Sequence, residues 1–258
     1  MCSSDLGADR PIPVPALVFV PDGAQGRTAK LPAVLWFGGT GKAADAVPGG
    51  RLEALARAGY LVLAVDLPGI GELGGDSGGD SVIRGVNYNL VFGAQLVGGS
   101  VTGIQADAIL RCLRALLTRA DADPGRISAV ATGTAGPALL HAALAEPRMA
   151  SVVLVNATLA WESILDLEYY DQALGMTVVP SSLTRYDLPD LMGNTAANRV
   201  LAIDPVGGDG KSAPAELREK TSKTVALVRG TRGGTCEIAV SGSSGSAGDM
   251  LNKWLMPE

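Results

Sequence analysis

Apolar residues along this 258-residue chain fall in short blocks separated by polar, glycine- and proline-rich breaks. Several blocks are continuous apolar runs with a β-branched bias, the pattern of strands buried on both faces. They predict strands at Val14–Val20, Ala33–Phe37, Tyr60–Asp66, Arg126–Ala131, Ser151–Asn156, Arg199–Ile203 and Cys236–Val240. Helices are predicted between them at Arg51–Ala58, Gly98–Arg119, Pro137–Leu144, Pro214–Thr221 and Gly248–Leu255. The longest sets Ile104, Ala108, Leu113, Leu116 and Leu117 along one side. Pro21-Asp22-Gly23, Pro48-Gly49-Gly50 and Asp123-Pro124-Gly125 mark turns, and a glycine-rich loop runs to Asp80. Leu159 to Thr195 keeps neither period and is expected to be an irregular excursion over the sheet's carboxyl edge. Strands alternating with helices predict the α/β class, a doubly wound, mostly parallel sheet flanked by helices.

Composition narrows the function. Hydrophobic residues make up 47% and charged residues 18%, enough for a large core and too apolar for disorder. The net charge of -5, with no basic patch, argues against nucleic acid as a partner. No apolar run reaches the ~18 residues that cross a bilayer, so no membrane partner is expected. Cys2, Cys112 and Cys236 are scattered and make neither a disulfide framework nor a zinc site; no metal or cofactor is expected. His141 is the single histidine, so any histidine base has one candidate. Met1–Leu6 lacks a signal-peptide pattern. It resembles a translated sequencing adapter. Residues 1–6 are therefore expected to be a non-native leader on a single domain over 7–258 whose native N-terminus is missing, which leaves localisation unread.

The most informative stretch is Arg126 to Leu140, RISAVATGTAGPALL. A strand turns into a helix here through Thr132-Gly133-Thr134-Ala135-Gly136. A sharp strand-to-helix turn with glycines at the close approaches is the geometry of the nucleophile elbow G-x-S-x-G. Thr132 replaces the first glycine, and the serine position falls on Thr134.

Taken in order, the elements resemble the α/β-hydrolase superfamily. The sequence runs strand, Gly38-Gly39-Thr40-Gly41, helix, strand ending AVDLPGIGE, long helix, elbow, then a strand ending in Asp204. DPGRISAVATGTAGPALLHAAL and RYDLPDL…RVLAIDPVGGDGK are similar to the acetylxylan-esterase and dienelactone-hydrolase-like branch. The resemblance implies an α/β-hydrolase fold and an ester-hydrolysing triad. It implies Thr134 at the nucleophile position, Asp204 (or Asp209 nearby) at the acid position, and a histidine after the last strand. Gly39, Thr40 and Ala135 take the places of the oxyanion donors. That chemistry needs a nucleophile, a base, an orienting acid and backbone donors together. The region Ser241 to Ala247 holds only small residues and no imidazole. His141 lies seven residues beyond Thr134 on the elbow helix. At the rise of an α-helix that is roughly 10 Å, against a hydrogen-bond reach of about 3 Å. His141 is expected to pack, not to catalyse.

Two other motifs compete. Gly39-Thr40-Gly41-Lys42-Ala43-Ala44, followed later by the strand-ending Asp66, matches a dinucleotide fingerprint. Pro48-Gly49-Gly50 intervenes before the helix, however. Gly207-Gly208-Asp209-Gly210-Lys211-Ser212 resembles a phosphate-binding Walker loop, but its leading position is Pro205, which has no N–H. The expectation is a catalytically degenerate, esterase-like domain serving as scaffold or carbohydrate-substrate module, its partners an acylated carbohydrate or small ester and an upstream catalytic domain. Weak ester hydrolysis through Thr134 is the alternative, and nucleotide binding through Gly39–Gly41 is the alternative of another class.

Overall fold

The computed structural model describes residues 12–23, 30–75, 81–83, 86–230, 232–242 and 245–255. The expected leader, positions 76–80 of the glycine-rich loop and Ser243–Ser244 lie outside them.

The strands of the main sheet are β1 (Ala16–Phe19), β2 (Leu31–Phe37), β3 (Leu61–Val65), β6 (Ala122–Thr132), β7 (Ser151–Val155), β8 (Arg199–Ile203) and β9 (Thr235–Ala239), with β4 (Val82–Ile83) and β5 (Val86–Asn87) forming a separate small hairpin. They lie in the order β1-β3-β2-β6-β7-β8-β9, all parallel except β1, which runs antiparallel to β3. The helices are α1 (Arg51–Arg57), α2 (Tyr88–Leu96), α3 (Val101–Leu117), α4 (Gly136–Ala145), α5 (Leu188–Asn194), α6 (Ala215–Arg229) and α7 (Ala247–Leu255). The doubly wound, mostly parallel sheet expected from the alternation is the one observed.

The continuous apolar runs exist because β3, β7, β8 and the carboxyl-terminal parts of β2 and β6 are covered on both faces, whereas the edge strand β9 is only partly buried. Along β2, Ala33, Leu35 and Phe37 enter a core shared with α3 and α4 through Leu113, Ile109 and Leu139. Val34 and Trp36 enter the opposite core, with Leu52 of α1 and Leu251 and Trp254 of α7. Ser100 caps α3 by accepting from the Gly103 N–H at 3.0 Å.

Three helices and one turn differ from the sequence reading. Asp123-Pro124-Gly125, expected as a turn, is taken into β6. The stretch 159–195 is not wholly irregular: beside three short 3-10 turns it contains α5. Asp187 caps that helix, and the Asp190 side chain accepts the Asp187 N–H in return at 2.8 Å. The helix after Pro214 runs on to Arg229, well past Thr221, because Thr221 and Val225 bury a continuing face. Helix α2 was not anticipated; Phe92 and Leu96 point outward and blur its period.

Candidate functional site

The strands end almost level. Phe37 pairs with Val65 and Ala131, Thr132 with Val155, Val155 with Ile203, and Ile203 with Ala239. The residues just beyond therefore share one carboxyl edge. Chain direction across the sheet reverses between β2 and β6, the switch point where doubly wound sheets open a crevice. Here the loop Gly38–Gly41 meets the turn Gly133–Ala135. The Gly39 N–H donates to the Thr132 hydroxyl at 3.0 Å, and the Thr134 hydroxyl donates to the Gly39 carbonyl at 3.4 Å. A Cβ on Gly39 would sit 2.5 Å from the Thr132 carbonyl oxygen and 3.0 Å from the Thr134 nitrogen, so only glycine allows this approach.

Each expected site residue now has a place. Gly39 offers no free N–H for an oxyanion, since Thr132 already takes it. Thr40 is exposed at the turn, and Ala135 is fully buried at the start of α4. At the elbow, the residue in the left-handed region is Gly133, with φ 53°, immediately after β6; Thr134 lies one step further, inside the 3-10 turn Gly133–Ala135. The same left-handed step follows the next two strands, at Asn156 (φ 51°) and Asp204 (φ 48°), side chains that tolerate it. Asp204 is half-buried, and its Oδ1 accepts the Ser241 N–H at 2.6 Å. The acid thus ties down the loop after β9, the place where the resemblance implied a histidine.

His141 is held by Pro137 on its own helix and by Tyr186. Its Nδ1 lies 2.7 Å from the Pro137 carbonyl, which can only accept, so the proton is on Nδ1. Nε2 then accepts from the Tyr186 hydroxyl at 2.8 Å. Trp161 completes the ring cluster, 6.0 Å from His141 and 6.2 Å from Tyr186 between centroids. Burial holds the imidazole below its ordinary pKa, against a smaller upward pull from the Pro137 carbonyl.

The glycine-rich motifs are corrected by their surroundings. Lys42–Ala44 is a single 3-10 turn and α1 begins only at Arg51, so no helix N-terminus faces Gly39–Gly41 as a dinucleotide would need. Asp66 is not free for a ribose. It accepts the Lys42 N–H at 2.6 Å, the Lys42 Nζ at 2.7 Å and the Glu72 N–H at 3.0 Å. Lys42 also pairs with Glu72. Burial alone would raise the Asp66 carboxyl, but these bonds outweigh it and hold it below the usual range. This buried clamp between the loops after β2 and β3 was not anticipated. Its signal was there, in a lysine within a glycine loop and an acid ending an apolar strand. The Walker-like loop closes on itself: Gly207 N–H donates to the Lys211 carbonyl at 2.8 Å and Gly210 N–H to the Gly207 carbonyl at 3.1 Å. Those amides are not aimed at a phosphate. Among the described residues no group of histidine, cysteine and carboxylate side chains could hold a metal ion, and no helix is long and apolar enough to cross a membrane.

No family model matches the sequence, and no curated protein sequence matches it. Solved structures do. An acetyl xylan esterase from Paenibacillus sp. R4 superposes with TM-score 0.61 at 15% identity over 94% of this chain and 79% of that one. A protein named as a dienelactone hydrolase from Klebsiella pneumoniae subsp. pneumoniae MGH 78578 gives 0.55 at 14% identity, over 93% and 90%. Porphyromonas gingivalis dipeptidyl peptidase 4 gives 0.60 at 12% identity, over 93% of this chain and 32% of that one. The chain has the α/β-hydrolase fold.

Proposed function

We propose that this α/β-hydrolase fold is a catalytically degenerate, esterase-like domain that serves as scaffold or carbohydrate-substrate module within an acetylxylan-esterase-like protein. One observation carries the reading. The left-handed residue of the strand-to-helix turn is Gly133, so the position from which a nucleophile projects has no side chain. The neighbouring Thr134 hydroxyl rests on the Gly39 carbonyl, which cannot take its proton. The single imidazole is engaged by Pro137 and Tyr186. The likeness to an acetyl xylan esterase supports acylated carbohydrate as the ligand class. The match to about a third of a larger peptidase supports a part within a larger protein.

A half-buried Thr134 hydroxyl beside Gly39 favours one second reading, weak ester hydrolysis by Thr134. Backbone donors and binding alone can leave about 10³-fold catalysis over water, so a faint signal does not decide between them. Hydrolysis of p-nitrophenyl acetate by wild type beside Thr134→Ala does. Equal, near-buffer rates are expected. A clear wild-type rate lost in the variant would overturn the degenerate reading.

A further inference from the structure

A cleft of about 280 Å³ lies at the β9 edge of the sheet, between α6 and β9, with glycines of their connecting loop at one end. One face of α6 lines it through Ser222, Val225, Ala226 and Arg229, and β9 contributes Cys236 and Ile238. Arg229 is the one charged side chain among the described residues of its lining.

A guanidinium carries a permanent charge and five N–H donors. Three of these are fixed. Nε donates to the Gly233 carbonyl at 2.8 Å, and Nη2 to the carbonyls of Ala197 at 2.9 Å and Asn198 at 3.1 Å. A Cβ on Gly234 would lie 2.5 Å from Nη2, so only glycine lets the loop close on it. Nη1 is buried and bonds to no described group. Pinned through Nε and Nη2, the planar group cannot turn Nη1 toward another acceptor. Two donors unpaired and out of water are costly.

No anion answers the charge from within the cleft. Neither aspartate nor glutamate is among its described lining residues. Glu237 alternates onto the other face of β9, the one on which Ala239 packs. Burial pushes the Cys236 thiol up to about 11, so it stays neutral. One fixed, uncompensated cation selects a monoanion; a divalent oxyanion would bring a second charge with nothing to pair it. Val225, Ala226 and Ile238 offer an apolar wall to the rest of the ligand. The space is at the lower limit of small-molecule sites, about 300 Å³, which keeps that apolar part short.

We propose that the α6–β9 cleft binds a short-chain monocarboxylate, its carboxylate on Arg229 Nη1 and its alkyl chain against Val225, Ala226 and Ile238. The site shares no lining residue with the β2–β6 crevice and does not depend on the esterase-like reading.

The test is an NMR titration of the ¹⁵N-labelled full chain with sodium butyrate at constant ionic strength, beside butyramide, sodium chloride and inorganic phosphate. Butyrate should give saturable shifts at the amides of Val225, Gly234 and Cys236 and at the Arg229 Nε–H; butyramide and chloride should not. Arg229→Met should weaken Kd at least about tenfold. Because Arg229 also holds three carbonyls, Ala226→Phe serves as the second variant. Position 226 is exposed, and the ring fills the cleft with the guanidinium in place. It should weaken butyrate binding about tenfold at unchanged Tm. No saturable butyrate shift, an equal response to butyramide, tighter binding of phosphate, or wild-type butyrate binding by Ala226→Phe would each overturn the site. Arg229 would then only tie the loop after α6 to the Ala197 and Asn198 carbonyls.

Discussion

The amide of Gly39 donates to the hydroxyl of Thr132 at 3.0 Å, across the switch point between β2 and β6. The bond joins two loops that part around a ligand in open doubly wound sheets. Thr132→Val removes the acceptor and leaves a half-buried N–H unpaired. It should lower the free energy of urea unfolding by about 1 kcal/mol, and Thr132→Ser should restore it. Gly39→Ala drives a Cβ into the Thr132 backbone and should destabilise more, by about 1–3 kcal/mol.

Rebuilding an esterase should depend on which elbow residue is changed. Gly133→Ser, combined with a histidine placed within 241–246, puts a hydroxyl on the left-handed step, where a Cβ would meet nothing closer than 3.9 Å. The variant should lose about 1–2 kcal/mol of stability to the positive φ, yet hydrolyse p-nitrophenyl acetate above background. Thr134→Ser with the same histidine should stay at background. If the two variants hydrolyse equally, Gly133 is not the projecting position.

The Lys42–Asp66 pair is almost fully buried, with side chains 5% and 2% exposed. Lys42→Met strands the carboxylate and should destabilise the fold by about 3–5 kcal/mol in urea. The pH dependence has a definite sign. Asp66 is held below its unfolded value of about 3.9, so its contribution is present above that pH and is lost as pH falls through the folded value. In Lys42→Met the acid limb of the stability curve should flatten.

His141 works at higher pH. The unfolded chain takes up its imidazole proton near pH 6.5, the folded chain only lower, because burial opposes the charge. Stability from the neutral ring is therefore complete above about pH 6.5 and is lost as pH falls through the folded value. Burial raises the nearby Asp187 carboxyl, which acts in the opposite sense from about pH 3.9 upward. The readout is thus the difference between wild type and His141→Gln: the urea midpoint of the variant should fall less between pH 7 and pH 5.

By itself the sequence determined the layered fold and what the chain lacks. Strand segments buried on both faces must be apolar, so β3, β7, β8 and the carboxyl-terminal parts of β2 and β6 stand out as runs. The want of an elbow serine and of an imidazole after Val240 needs no coordinates, because chemistry follows from residue identity. Helices escaped where that logic fails. Apolar side chains of α2 face outward, and seven-residue α5 is too short for a period, although Asp187, Pro189 and Asp190 announce its start. Only the tertiary structure decided which residue occupies the turn and what each loop is bonded to. The pairing of Thr132 with Val155 ends β6 at Thr132 and puts the left-handed step on Gly133 instead of Thr134. The distant partners of Asp66, Asp204 and His141 lie 24, 37 and 45 residues away, joined only in the folded chain. Local sequence carries periodicity and turn preference over a few residues. A hydrogen bond between distant loops is set by the register of the whole sheet.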